Sequence, residues 1–277
     1  MARKMQVPRI DAMFARLKGE GRKAFVTYTV ASDPSFAESL ERLNAFAAAG
    51  IDLIELGHPY SDPILDGATI QKANRRGLAA GGNLSRTLEL VAAFREHDDV
   101  TPVILMGYSN PLLAMGYEAF AERAAKAGVD GIIAADFPIR EADSLLDALA
   151  RHGLVMVPLA APTLAPEDFA VEKPGIGGFL YCIPVVGPTG GPSASLEAIG
   201  EAVERCRAVS KLPVMVGFGV KTPEMAAGVA AVADGVIVAT SLIDHLDAKR
   251  ATLSAADYAA EIPRAIIEYR CAIDAGS

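Results

Sequence analysis

SFAESLERLNAFAAAGIDLIEL, residues 35–56, holds one full unit of the pattern that runs through the chain. Phe36, Leu40, Leu43 and Ala47 fall at i, i+4, i+7 and i+11, the spacing of a core-facing helical stripe. Ser35 stands where an N-cap belongs and Gly50 where the helix must stop. The segment then changes character. Residues 51–56, IDLIEL, are short and almost continuously apolar, as suits a parallel strand covered on both faces rather than one with a wet side. The same stop-and-start punctuation, Ala-Gly-Val-Asp-Gly, returns at residues 127–131.

Outward from this unit, comparable apolar runs occupy residues 24–30 (AFVTYTV), 102–106 (PVILM), 131–135 (GIIAA) and 154–160 (LVMVPLA). Three more lie at 178–183 (GFLYCI), 213–218 (PVMVGF) and 235–239 (GVIVA). Helical stripes separate them: Leu145, Leu146 and Leu149 before Gly153; Leu196, Ile199 and Val203 after a capping Ser193; Met225 and Val229 after Thr222-Pro223-Glu224. Eight β–α units without an interrupting linker predict an α/β fold, a (β/α)8 TIM barrel, as one domain over residues 1–277. A doubly wound sheet also alternates, but no Gly-x-Gly-x-x-Gly follows the first run. An extra N-terminal helix over residues 10–18 is expected to cover the barrel's bottom, and residues 257–272 to form the closing helix.

Composition narrows the function. A net charge of −8, 6% aromatic residues and no Trp argue against a nucleic-acid or anionic-membrane surface. Cys182, Cys206 and Cys271 share no short spacing, so neither a disulfide framework nor a zinc cluster is expected. No apolar run reaches the roughly 18 residues of a membrane span, and residues 1–14 have no signal-peptide core. The expectation is a cytoplasmic protein.

In such a barrel the reacting groups lie at the C-terminal ends of strands. Asp33, Glu55, Asp62, Asp66 and Asp136 all fall there. Glu55 is the most informative, because Leu53, Ile54 and Leu56 surround it and burial lifts a carboxyl toward a pKa suited to proton transfer. Asp66 follows in SDPILDG, where it serves either as a second acid–base group or as the N-cap of a helix beginning near Ala68. Asp62, before Pro63, reads as a turn or capping residue. His58 lies three residues past Glu55, either against ligand or in loop packing. Tyr181 reads as pointing into the barrel mouth or as core, with Cys182 facing the helix layer. Glycine-rich turns follow the sixth run (residues 187–191) and the seventh (residues 217–219), and Ala239-Thr240-Ser241 precedes a short helix over residues 242–246. Backbone amides so exposed bind a phosphate dianion without a lysine.

LIELGHPYSDPILDGATIQKAN resembles the tryptophan synthase alpha subunit family, whose usual form is close to E-L-G-x-P-[FY]-S-D-P-x-A-D-G-P-x-I-Q. TYTVASDP, VILMGYSNPLLAMGYEAF, GVDGIIAADFP, AAPT, YCIPVVGPTG and VGFGVKTPE follow in the family's order. The resemblance implies a (β/α)8 lyase that cleaves indole-3-glycerol phosphate to indole and glyceraldehyde 3-phosphate, with no metal or organic cofactor, beside a pyridoxal-phosphate-dependent beta subunit. It implies Glu55 and Asp66 as catalytic, Gly190 and Gly219 as phosphate-site glycines, and Tyr181, Phe218 and Ile133 as lining the substrate pocket. Ala239 and Thr240 stand where the family has Gly-Ser, so the amide and hydroxyl remain and a methyl is added near the phosphate. His58, Ala68, Pro184 and Pro188 also depart from the family pattern, as do Val30 and Ser32. These departures leave two other expectations: a specialised paralogue (a stand-alone indole-glycerol-phosphate lyase or a lyase on a related phosphate ester), or a catalytically weak subunit that activates a beta subunit.

Overall fold

The computed structural model describes residues 7–165, 172–184, 194–217 and 219–277. Gly190, Phe218, Pro188 and Ser193 lie outside them. In chain order the elements are α1 (Pro8–Glu20), β1 (Ala24–Val30), α2 (Phe36–Ala48), β2 (Leu53–Gly57), α3 (Ala68–Ala79), α4 (Leu84–Arg95) and β3 (Val103–Gly107). There follow α5 (Ser109–Met115), α6 (Tyr117–Ala127), β4 (Gly131–Ala134), α7 (Asp143–Arg151), β5 (Val155–Met156), β6 (Leu159–Ala160) and β7 (Leu180–Cys182). The chain ends with α8 (Leu196–Val209), β8 (Val214–Val216), α9 (Pro223–Val232), β9 (Gly235–Val238), α10 (Thr240–Arg250) and α11 (Ala255–Ala275).

The strands form one sheet in the order β5-β4-β3-β2-β1-β9-β8-β7-β6, and every pairing is parallel. Its two ends, β5 and β6, are consecutive pieces of the predicted run over residues 154–160, so the sheet closes on itself as an eight-stranded barrel. Pro158 interrupts that strand because it has no N–H to give the ladder. Hydrogen bonds continue on either side: Val157 N donates to Ile132 O at 2.8 Å, and Tyr181 N donates to Pro158 O at 3.0 Å.

Alternation along each strand sorts side chains to two cores. Ile54 and Leu56 face the helix layer, where they pack with Leu43, Phe46 and Phe94, while Leu53 joins Val26, Ile104, Ile133 and Phe179 inside the barrel. Ile10, Met13 and Leu17 of α1 close that interior from below, as the N-terminal stripe predicts. Cys182 belongs to the outer core.

The helix starts follow cap chemistry. Ser35 Oγ accepts from Glu38 N at 3.2 Å, and Thr222 Oγ1 accepts from Met225 N at 3.3 Å. At α8 the cap is Ser195, whose Oγ accepts from Ala198 N at 3.2 Å, rather than Ser193 two residues earlier. Among the strand starts, one device recurs. Asp52, Asp130 and Asp234 each stand one residue before β2, β4 and β9. Their N–H groups donate to the carbonyls of Phe25, Val103 and Val214 at 2.9, 2.9 and 2.8 Å. Their carboxylates accept the N–H of those same residues at 2.9, 2.8 and 2.8 Å. Arginines complete each corner: Arg16 and Arg270 on Asp52, Arg9 and Arg95 on Asp130, Arg207 on Asp234.

Candidate active site

Glu55 sits on β2 with its Cα paired to Tyr28 of β1. It shares the inward phase of Leu53, one step nearer the C-terminal mouth. The side chain is 1% exposed, and its Oε1 has no hydrogen-bond partner among the described residues. Burial alone pushes its pKa up to about 8.

Asp66 is half-buried on the loop that leads into α3. Gly67 occupies the cap position of that helix with no side-chain cap bond, so Asp66 is not the N-cap. Its carboxylate accepts from Asn74 Nδ2 at 3.3 Å, and Gln71 Nε2 donates to its backbone carbonyl at 2.8 Å. Burial lifts its pKa to about 6 against the opposing hydrogen bonds from Tyr108 and Asn74. Tyr108 also fixes the loop, its hydroxyl accepting from Leu65 N at 3.0 Å. Burial thus raises both carboxyls, Glu55 further than Asp66, whose hydrogen bonds oppose the rise.

The other acids have other work. Asp33 is buried and forks onto Arg76 at 2.6 and 2.8 Å. Asp136 accepts from Ser109 N at 2.7 Å at the start of α5. Asp62 is exposed, and its carbonyl accepts from Ile64 N in the turn. His58 is buried against Gly107, where a Cβ would fall 2.2 Å from its Nε2; burial lowers its pKa to about 4. Its ring thus packs at the end of β3, with Nδ1 buried and without a hydrogen-bond partner among the described residues.

Ile133 and Tyr181 both face the barrel interior. Tyr181 leans over the end of β8, where a Cβ on Gly217 would lie 2.1 Å from its hydroxyl. A cavity of about 310 Å³ opens between Gly217, Gly219, Val220, Ala239, Thr240 and Ser241, with Lys221 and Asp244 also at its walls. The amino end of α10, which begins at Thr240, lines it. Ser241 is committed elsewhere, donating to Val220 O at 3.1 Å and accepting from Tyr269 at 3.1 Å. Asp244 accepts from Thr69 Oγ1 at 2.8 Å, which links α10 to the helix that follows Asp66. Tyr28, Tyr108 and Asn74 were not singled out by sequence. Among the described residues no group of three or more His, Cys, Asp and Glu side chains is placed to hold a metal ion.

The family model for "Tryptophan synthase alpha chain" matches residues 14–266. The chain belongs to the tryptophan synthase alpha chain family. Among its curated relatives, the alpha chain of Caulobacter vibrioides is 51% identical over 243 residues, covering 88% of each protein. That of Caulobacter sp. strain K31 is 50% identical over 244 residues, covering 88% of this chain and 89% of its own length. In three dimensions the chain is similar to the alpha subunit of Legionella pneumophila, with a TM-score of 0.88, 38% identity and coverage of 96% and 98%. It is also similar to a chain of Mycobacterium tuberculosis tryptophan synthase, with a TM-score of 0.82, 32% identity and coverage of 96% and 98%. The alpha-chain family is one of lyases. No helix among the described residues is long and apolar enough to cross a membrane.

Proposed function

We propose that this alpha-family chain cleaves indole-3-glycerol phosphate with Glu55 and Asp66 as its acid–base pair. The observation that carries the assignment is Glu55 itself: a carboxyl 1% exposed, with an orphaned oxygen, facing the open end of the barrel. Such a group is costly unless the ligand completes it. Below about pH 8 it holds a proton, which it delivers to carbon 3 of the indole ring. Asp66, ionised above about 6, accepts the ring N–H and stabilises the positive charge as the ring becomes an indolenine. Glu55, now a carboxylate, takes the proton of the hydroxyl beside the breaking bond. The carbonyl of glyceraldehyde 3-phosphate forms, the carbon–carbon electrons return to the ring, and Glu55 is again protonated. The reaction balances without a cofactor.

Ile133 and Tyr181 line the ring pocket in this reading, and Phe218 joins them from the sequence assignment. The phosphate sits on the amides around Gly219, Ala239 and Thr240; Gly190 is assigned to the same site by the sequence resemblance alone. A pyridoxal-phosphate-dependent beta subunit is the partner, and its docking surface includes the mouth. Supporting this, Ile64 and Leu65, on the loop just before Asp66, are 78% and 44% exposed, and neighbouring apolar side chains left in solvent beside the mouth suit a docked partner. A cytoplasmic setting follows from a biosynthetic subunit of this kind. The test is turnover of indole-3-glycerol phosphate by wild type and Glu55→Gln, each alone and with a beta subunit. Loss of several orders of magnitude in the variant, with the fold intact by circular dichroism, supports the assignment; near-wild-type turnover removes it.

A further inference from the structure

Tyr28 has no role in the mechanism above, yet it stands at its centre. Its Cα is the register partner of Glu55. With Val26 inside the barrel, the two-residue period turns Tyr28 inward as well. Its hydroxyl occupies the space over Gly57, the next inward position of β2, where a Cβ would fall 2.2 Å from the oxygen. Glycine at residue 57 is what admits the phenol to the Glu55 side of the mouth. The residue is 6% exposed, and on the strand position paired with it the buried Oε1 of Glu55 has no hydrogen-bond partner among the described residues.

We propose that Tyr28 is a positioning residue for Glu55, its hydroxyl donating a hydrogen bond to the carboxylate that exists between proton delivery to the ring and proton recovery from the substrate hydroxyl. The inference rests on the acid–base reading given above. A buried carboxylate with no donor is a high-energy species, and the intermediate state requires one. A phenol beside it supplies a donor without competing for the proton. Tyr28 stays protonated throughout the working range: burial first, then the charges of Asp66, Glu55, Tyr108 and Asp33 around it, hold its pKa well above the ordinary phenol value. Tyr181 of β7 also lies inside the barrel, with its hydroxyl over Gly217 at the end of β8, whereas that of Tyr28 lies over Gly57 on the Glu55 strand itself.

The test is Tyr28→Phe, which keeps the ring and removes one oxygen. A donor to the charged form lowers the pKa of the acid it serves, so its loss moves the alkaline limb of kcat for Glu55 upward. We expect that shift together with a kcat lower by about tenfold, and with KM and glycerol-phosphate binding within about twofold of wild type. A kcat that falls with an unmoved limb marks packing alone and overturns the inference, as does an unchanged kcat. Glu55→Gln measured in parallel separates the two readings. If it still turns over, the acid–base assignment fails and this inference with it; if it is inactive while the Tyr28→Phe limb stays in place, only the role of Tyr28 is lost.

Discussion

Glu55 and Asp66 differ in what surrounds them, and that difference sets a pH window. Activity needs Asp66 ionised and Glu55 protonated, so kcat/KM is expected to rise through about 6 and to fall above about 8. A single flat profile between pH 5 and 9 would refute the pairing. The same burial has a stability consequence. The folded chain keeps the Glu55 proton up to about 8, whereas the unfolded chain releases it near the ordinary carboxylate value. Between those values the folded state binds more protons, so this group's contribution is complete at low pH and is lost as the pH rises through about 8. Glu55→Gln removes the titration. Its Tm at pH 9 should exceed that of wild type even as turnover disappears, an exchange of stability against function. Glu55 was legible because one acid interrupts an apolar strand. Tyr28 was not, because AFVTYTV is buried along its whole length and a strand covered on both faces shows no phase. His58 was ambiguous for a related reason: three residues of sequence from Glu55 do not say on which side of the barrel wall a ring will lie.

At the scale of elements, the proposed phosphate site is a helix end. α10 begins at Thr240 with no side-chain cap and its first residues line the cavity past the ends of β8 and β9, where a helix N-terminus favours an anion. Thr240→Val should raise KM by the equivalent of about 1–3 kcal/mol with kcat little changed, since the contact is alike in substrate and transition state. Ala239→Gly should tighten glycerol-phosphate binding modestly by removing a methyl. Titration calorimetry on both variants checks the site, and equal affinities across all three proteins would return the glycines to turn chemistry. Element boundaries were largely legible: the expected strand at residues 24–30 is β1. The misses have physical causes. Ser193 and Ser195 flank one alanine, and either satisfies a cap by spacing. Pro158 lies within an apolar run whose other residues all favour a strand, and the split into β5 and β6 is visible only once its neighbours are known.

For the whole molecule, the two ends of the barrel are built differently. The lower end carries the three aspartate corners, each a carboxylate satisfied by a backbone amide and at least one guanidinium. Removing one partner of such a buried group is costly, so Asp130→Ala should lower stability by about 3–5 kcal/mol in a urea melt while leaving kcat/KM of the folded fraction near wild type. At the upper end Ile64 stands 78% exposed on the loop before Asp66. Ile64→Asp is accordingly expected to weaken association with a beta subunit, read by sedimentation, without changing the melt of the isolated chain. The break at Pro158 gives the barrel a seam. Two residues each in β5 and β6 hold together what seven residues hold at β1. Like a clasp on a hoop, it is the place where the closed sheet has least to undo. Deuterium should therefore enter the amides of residues 155–160 before those of β1 and β2, and unfolding should begin by uncurling the hoop into an open sheet.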